Sequence, residues 1–431
     1  MAADHGHLDA AAALLRGREQ ATVLSAMWPG QPDRLLSAIL AESRARDIGL
    51  TLLIADVSGR WSFLDDRSEQ RLSDGSLRLV TLAGGVPRRL SSAVEYYPDS
   101  LYEIDRYIAG GQIAADIFVA RVSQRTVASG FTLGTMVGYS PAALARIGSA
   151  GFEVGHRESP VGKQPVIERE RPMVTCPAGQ PAGAGDPGRP AATSAAHDRI
   201  GRLAAGLLPD DATLQLGLGA VPEAVVPHLA GKRSLGLHSG IFPASLQPLV
   251  ASGAITGARK SYGQGLHLAT GVLSWGPGSG PRDDDGRLRL VPVSVTHSPE
   301  VLGQQHRLWA VNSAFEVDLL GQVNAEYAGQ VRIASAGGQA DFFRAAHRSD
   351  GGGAVLVLPA RTKDGHSRIV ADLGCSRRVT SVGADIDYVV TEFGVARLTA
   401  ATAGERARRL IAIAHPEDRE TLARNWNDLS G

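Results

Sequence analysis

Glycine turns and a handful of titratable side chains share the second half of this 431-residue chain. In LGLGAVPEA, residues 216–224, an apolar run meets Gly217, Leu218 and Gly219, and Pro222 sits in the first turn of the helix that follows. Glycines there let backbone N–H groups, that of Leu218 among them, face a ligand oxygen. The helix N-terminus adds a field that favours an anion or a developing oxyanion. The third glycine of the dinucleotide fingerprint is missing, so a plain tight turn between strand and helix explains the motif equally well. ASAGGQADFFR, residues 334–344, sets Gly337 and Gly338 before another helix. Two such turns could direct N–H groups at one ligand oxygen, although a single glycine pair more often serves structure.

The titratable groups fall at strand ends. Glu392 in VTEFGVARL closes an apolar run just before a glycine, where active sites of α/β sheets form. His297 in VTHSPEV occupies a similar place and could be a proton acceptor or simply a hydrogen-bonded histidine. NSAFEVDLLGQVNAE, residues 312–326, carries Glu316, Asp318, Asn324 and Glu326 around a turn at Gly321. Either acid/base work or carboxylates satisfying loop N–H groups fits that pattern. Lys260 in ARKSYGQG and Arg368 in HSRIV are candidate phosphate partners, with solvated surface charge as the alternative. LGLHSGIF, residues 235–242, has the surroundings of an active site, yet Ser239 and Gly240 follow His238 where an acid, base or strong nucleophile is looked for. No Ser-His-Asp arrangement is legible around Ser239.

The elements that must position these residues alternate. PDRLLSAILAESRAR has helical periodicity and precedes the strand-like LTLLIADV; LYEIDRYIAGG then AADIFVARV repeat the order. Further on, AAHDRIGRLAAGLL predicts a helix, ATLQLGLG a buried strand and VPEAVVPHLAG the next helix. RLRLVPVSV, LWAVNSAF, GAVLVLP and IDYVVTEF predict buried strands, and QADFFRAAHR and AGERARRLIAIA predict helices. Such alternation implies an α/β fold with mainly parallel sheets covered on both faces. The Pro/Gly/Ala-rich stretch at 177–193 cannot pack a core and marks a linker between domains at 1–176 and 194–431.

Composition narrows the function classes. Forty-four basic residues balance 44 acidic ones, without a basic run interleaved with aromatics, so nucleic acid and acidic membranes are not expected partners. The two cysteines, Cys176 and Cys375, have no metal-ligand spacing, so neither a disulfide scaffold nor a metal site is expected. The amphipathic start and the lack of an 18-residue apolar run predict a cytoplasmic enzyme acting on small molecules.

The stretches DATLQLGLGAVPEAV, LGLHSGIF, ITGARK, NSAFEVDLLGQVNAE, GGQADFFRAA, SRIV, VTEFGVARL and ERARRLIAIAHPED resemble, in order, the acetyl-CoA hydrolase and 4-hydroxybutyrate CoA-transferase family of class I CoA-transferases. In the first half, SQRTVASGFTLGTMVGYSPAAL resembles a glycine- and serine-rich segment of that family. The resemblance implies two Rossmann-like α/β domains with the active site between them, an acyl-CoA substrate, no metal, and a homodimer. It implies that the N–H groups of Leu218, between Gly217 and Gly219, and of Gly338 bind the thioester oxygen; Gly217, Gly219, Gly337 and Gly338 with the candidate phosphate partners Lys260 and Arg368 are then expected around the coenzyme. Glu392 matches the family's second active-site glutamate, and His297 falls on or beside its active-site asparagine. The family's nucleophilic glutamate, which forms the glutamyl-CoA thioester, falls on Gly240. Glycine cannot form that intermediate.

The expectation is therefore direct acyl transfer from a CoA thioester to a small amine or hydroxyl acceptor in the space left at Gly240, with His297 or Glu392 as base. Hydrolysis or CoA transfer through Glu392 or Glu316 is the alternative, as is a CoA-binding homologue without catalysis. Ser239 as nucleophile is a further variant.

Overall fold

The computed structural model describes residues 5–124, 130–155, 162–168, 173–178, 194–273, 283, 285–374 and 377–430. Residues 125–129 of the glycine- and serine-rich segment, most of the 177–193 stretch, and Cys375 lie outside the described residues. The chain forms two compact units: Met1–Pro187 with Thr270–Val295 and Arg332–Gly337, and Gly188–Ala269 with Thr296–Val331 and Gly338–Gly431. One cut at 177–193 therefore does not divide the molecule. Two later segments belong to the first unit because backbone hydrogen bonds tie them there, Val137 N–H to Thr270 O at 2.8 Å and Ser335 N–H to Gly84 O at 2.9 Å.

In the first unit the parallel strands run Glu95–Tyr96, Leu77–Gly84, Gly49–Asp56, Gln20–Ser25, Ile117–Gln124, Ser149–Gly155 and Met173–Pro177 across the sheet. The helix Asp33–Ala45 buries Leu35, Leu36, Ile39 and Leu40, a stripe at helical spacing, against that sheet's core. Where the helix Leu101–Gly110 ends, Gly111 takes the left-handed conformation at φ 79°, the usual requirement of that closing turn.

In the second unit the strands run His267–Ala269, Gly236–His238, Thr213–Leu216, Leu308–Ser313, Gly353–Val357, Tyr388–Thr391 and Gly394–Arg397, parallel except for the last pair. Gly353–Val357 is buried at every position, as a central strand covered on both faces must be. The helices Ala195–Leu207, Gln339–Arg348 and Ala403–Ile413 pack on this sheet. Ser194 caps the first through His197 N–H, and Thr402 with Glu405 forms a reciprocal capping box on the third. The chain leaves Thr213–Leu216 toward one edge of the sheet and returns on its other side at Leu308–Ser313. Between those two strands lies the crevice where open α/β sheets bind ligands.

Two predicted elements differ. RLRLVPVSV is a strand only over Leu288–Leu290; Pro292, which has no N–H for a ladder, turns the chain into the short helix Val293–Thr296. VPEAVVPHLAG is not one helix but a single α turn, Ala220–Glu223, followed by the 3-10 turn Val226–Leu229, because Pro227 removes a donor and clashes one turn back.

Candidate functional site

In the second unit the turns at Gly217 and Gly240 follow the carboxyl ends of the parallel strands Thr213–Leu216 and Gly236–His238. Thr213–Leu216 runs into Gly217, whose N–H stays in the sheet, bonded to Val311 O at 2.8 Å. On the neighbouring strand Asn312 packs over Gly217 so closely that any side chain there would collide with it. Asn312 and Gln215 exchange amide hydrogen bonds of 2.7 and 3.1 Å, which locks the two strands at the crevice. Gly219 then takes φ 114°, a conformation open to glycine, and starts the short helix.

Gly338 is the N-cap of the ten-residue helix Gln339–Arg348. Gln339 Nε2 donates to Ser313 O at 2.9 Å, which fastens that helix start to the end of the strand beside the glycine loop. Among the described residues neither Leu218 N–H nor Gly338 N–H has an acceptor within the protein. Both residues are partly exposed, so these donors can face a bound oxygen.

Gly240 is not beside a hollow. A β-carbon at Gly240 would lie 3.1 Å from His297 Cε1 and 3.2 Å from Nε2, and one at Gly338 would lie 2.6 Å from His297 Cδ2 and nearer still to Nε2. The imidazole is therefore wedged between two glycines with its Nε2 edge toward both. The Phe342 ring closes a third side edge-on, with centroids 4.7 Å apart. Neither glycine has positive φ, so what glycine provides at both positions is room for the ring. His297 is 2% exposed, and burial holds its pKa down at about 3, so the imidazole is neutral at ordinary pH. Its Nδ1 lies 2.8 Å from Thr296 Oγ1.

The neighbouring His238 and Ser239 are both hydrogen-bonded within the fold. His238 Nε2 is 3.0 Å from Thr296 O and its Nδ1 is 3.0 Å from Gln305 Nε2. Ser239 is fully buried, its hydroxyl directed at Leu216 O at 3.5 Å. Sequence reasoning passed over His238, Thr296 and Phe342; the His in LGLHSG and the Thr before His297 were the only signals available for the first two.

The remaining candidates lie elsewhere. Glu392 Oε2 accepts from Ala360 N–H at 2.9 Å. Its strand is three places from Thr213–Leu216, roughly 14 Å at ordinary strand spacing. Arg368 donates to Ala314 O at 3.1 Å, and Glu316 Oε2 is held by Asn324 Nδ2 at 2.9 Å and lies 2.8 Å from Arg377 Nε. Asp318 accepts from Leu320 N–H and twice from Gln322, and Glu326 accepts from Thr380 Oγ1. These carboxylates do satisfy loop donors. Lys260, named as a phosphate partner, is 3% exposed and spends its ammonium on Leu237 O at 2.8 Å and Leu266 O at 2.9 Å. Its stem crosses Gly236, where no side chain would fit beside it. It is a strut beneath the strand, not a hand for phosphate. Gly337 has φ 60° and its carbonyl accepts from Leu101 N–H at 2.9 Å.

Among the described residues no group of three or more His, Cys, Asp or Glu could hold a metal ion, and no helix is long and apolar enough to cross a membrane.

Comparison with known proteins agrees on the family. Residues 282–426 match the model of the acetyl-CoA hydrolase/transferase C-terminal domain. A 4-hydroxybutyrate coenzyme A transferase of Clostridium kluyveri is 29% identical over 411 residues, covering 91% of this chain and 90% of that protein. The crystal structure of a 4-hydroxybutyrate CoA-transferase from Porphyromonas gingivalis superposes with a TM-score of 0.73 at 26% identity, covering 98% of this chain and 97% of that one. RipA from Yersinia pestis shares the fold, with a TM-score of 0.83 at 24% identity over 97% and 96% of the two chains.

Proposed function

The chain belongs to the acetyl-CoA hydrolase and CoA-transferase family, and from that premise we propose that it moves the acyl group of a CoA thioester directly onto the hydroxyl or amine of a small-molecule acceptor. One observation carries this reading: a neutral, buried imidazole fills the space at Gly240, where the family resemblance places a covalent carboxylate.

The thioester oxygen would be bound by Leu218 N–H and Gly338 N–H, which polarise the carbonyl and grow stronger as charge develops on it. With Nδ1–H donating to Thr296 Oγ1, His297 Nε2 keeps its lone pair toward the gap between the glycines and takes the proton of the acceptor as it attacks. The new carbon–oxygen or carbon–nitrogen bond forms. The carbon–sulfur bond breaks, and the proton passes from Nε2 to the departing CoA sulfur. The burial that keeps the free imidazole neutral disfavours a lone imidazolium, so it is charged only while the neighbouring oxyanion compensates it. Stabilisation is thus concentrated in the transition state. Glu392 and Glu316 have no part in this step, since each is occupied away from His297.

Water in the acceptor's place would give hydrolysis, and the assay separates the two. Free CoA should appear from acyl-CoA only with an added acceptor, borohydride should trap no glutamyl thioester by mass spectrometry, and His297→Gln should lower kcat at least 100-fold. A reducible glutamyl thioester, or full activity in His297→Gln, refutes the proposal. Acceptor-independent CoA release restricts it to hydrolysis. A cytoplasmic homodimer belongs to the same proposal, and sedimentation of the purified protein tests the dimer.

A further inference from the structure

We propose that the acyl group taken from CoA is an apolar chain and that Leu320, Val379 and Val382 form the surface on which it lies; this rests on the reading that Gly338 N–H binds the thioester oxygen. The segment Val379–Thr380–Ser381–Val382 inverts the usual distribution of side chains. Thr380 and Ser381 are 9% and 3% exposed, whereas Val379 and Val382 on either side are 40% and 45% exposed. Thr380 Oγ1 donates to Glu326 Oε1 and accepts from Ala325 N–H, both at 2.9 Å, and Ser381 Oγ donates to Gln339 Oε1 at 3.1 Å. Leu320, 41% exposed, lies beside this segment: a β-carbon on Gly383 would be 2.5 Å from Leu320 O. Three of the seven exposed large apolar side chains among the described residues thus belong to this one place. An exposed apolar patch of this kind marks a surface that is covered in use.

The surface is rigidly built. Val323 N–H donates to Ser381 O at 3.0 Å and Thr380 N–H to Val323 O at 2.7 Å. Arg406 Nη1 donates to Leu320 O at 3.0 Å and to Gly383 O at 2.6 Å, so one guanidinium ties both segments. Aliphatic side chains on a backbone held in this way lose little freedom when a ligand covers them. Their place follows from the strand before them. Past its carboxyl end Leu308–Ser313 leads into a small sheet of Glu316–Asp318, Val323–Asn324 and Ile369–Val370, and Ser381 pairs with Val323 at its side. The Ser381 hydroxyl touches Gln339, the residue after Gly338, which brings Val382 next to a residue in contact with that helix start. At about 1.5 Å per carbon–carbon bond, an acyl chain of roughly six carbons extends ~6 Å beyond the carbonyl, nearly two residues of backbone, whereas an acetyl group ends one bond away. Three aliphatic side chains offer no partner to a hydroxyl or carboxylate at the end of the chain, so a polar acyl group would lose water there without compensation.

The test reads binding apart from turnover, with 2-oxoalkyl thioethers of CoA that keep the carbonyl and cannot transfer an acyl group. Calorimetry on the unaltered protein should show affinity rising about two- to fourfold per methylene from the two-carbon to the six-carbon acyl length. A hydroxyl at the end of the six-carbon chain should cancel most of that gain. The double variant Val379→Ser with Val382→Ser, at exposed positions, should weaken binding of the six-carbon analogue by about 10-fold and of the two-carbon analogue by no more than about threefold. Equal affinity at every chain length, or an equal loss for both analogues in the double variant, refutes this inference and leaves direct transfer standing. Affinity for none of the analogues refutes the thioester reading beneath it. A double variant that keeps its preference for long chains but sediments as a smaller species than the unaltered protein assigns the surface to a second copy of the chain, and the inference falls.

Discussion

Adding one methyl group at Gly338 should disable the site more than adding one at Gly240, and the structure sets the size of the difference. An alanine β-carbon at residue 338 would sit 2.6 Å from His297 Cδ2, against an ordinary contact of about 3.5 Å. The ring must retreat by roughly 1 Å, but Phe342, itself 2% exposed, and Gly240 stand on its other sides. Overpacking of this kind costs about 1–3 kcal/mol of stability, and a 1 Å error in a reacting group costs on the order of 100-fold in rate. At Gly240 the nearest atoms would be 3.1 and 3.2 Å away, so a shift of a few tenths of an ångström suffices. Alanine there should cost severalfold in kcat and well under 1 kcal/mol. Gly337→Ala is the control: nothing but a carbonyl at 3.9 Å is near, and the change strains only a backbone at φ 60°, by about 1–2 kcal/mol. Thermal unfolding of the three variants, with CoA release measured against acyl-CoA and acceptor concentration, gives both quantities. Equal kcat in Gly338→Ala and the unaltered protein, or a larger loss in Gly240→Ala, would mean that the imidazole is not seated between these glycines.

Four further outcomes follow from the same geometry. Gly240→Glu cannot keep both the new side chain and the imidazole in place, so the native reaction should fall more than 10-fold while borohydride begins to trap a glutamyl thioester; an unaltered native rate sinks the argument about this space. The pKa of His297 is lowered on folding from 6.5 to about 3, so the unfolded chain binds a proton that the folded one refuses. Stability contributed by this group is complete above about pH 6.5 and is lost toward pH 3 at about 1.4 kcal/mol per pH unit. Denaturant titrations across that window should flatten in His297→Gln, and an identical slope contradicts the burial. Lys260→Met should destabilise the protein by about 2–3 kcal/mol by stranding two buried carbonyls while leaving the affinity for CoA within twofold; a 10-fold weaker affinity with unchanged stability restores the phosphate role. Ser239→Ala should leave kcat within about threefold, since its hydroxyl is directed at Leu216 O; inactivity with an intact fold favours it as a nucleophile.

Local sequence determined much of the scaffold. Apolar residues at helical spacing in LLSAIL and continuous β-branched and leucine runs in GAVLVLP had to be buried somewhere, and each formed the predicted element. The turns at Gly217, Gly219 and Gly338 were likewise legible, because a glycine between an apolar run and a helix start has few other uses. Proline misled in two places. Pro292 and Pro227 lie in apolar runs that fit a strand or a helix by hydrophobicity alone, and the missing N–H overruled that pattern.

The site itself divided along a different line. That Gly240 lacks a side chain is a property of the sequence; that the place is filled by His297 is not, since it depends on three separate loops meeting at one sheet edge. The same holds for Lys260, a surface charge by type and a buried strut by position, and for His238, whose hydrogen-bond partner is a carbonyl distant in the chain. Periodicity reports only whether a residue faces solvent or core, and that is fixed by its near neighbours. Which imidazole fits between which glycines is fixed by close packing among segments far apart in sequence, where one methyl group decides whether the ring fits.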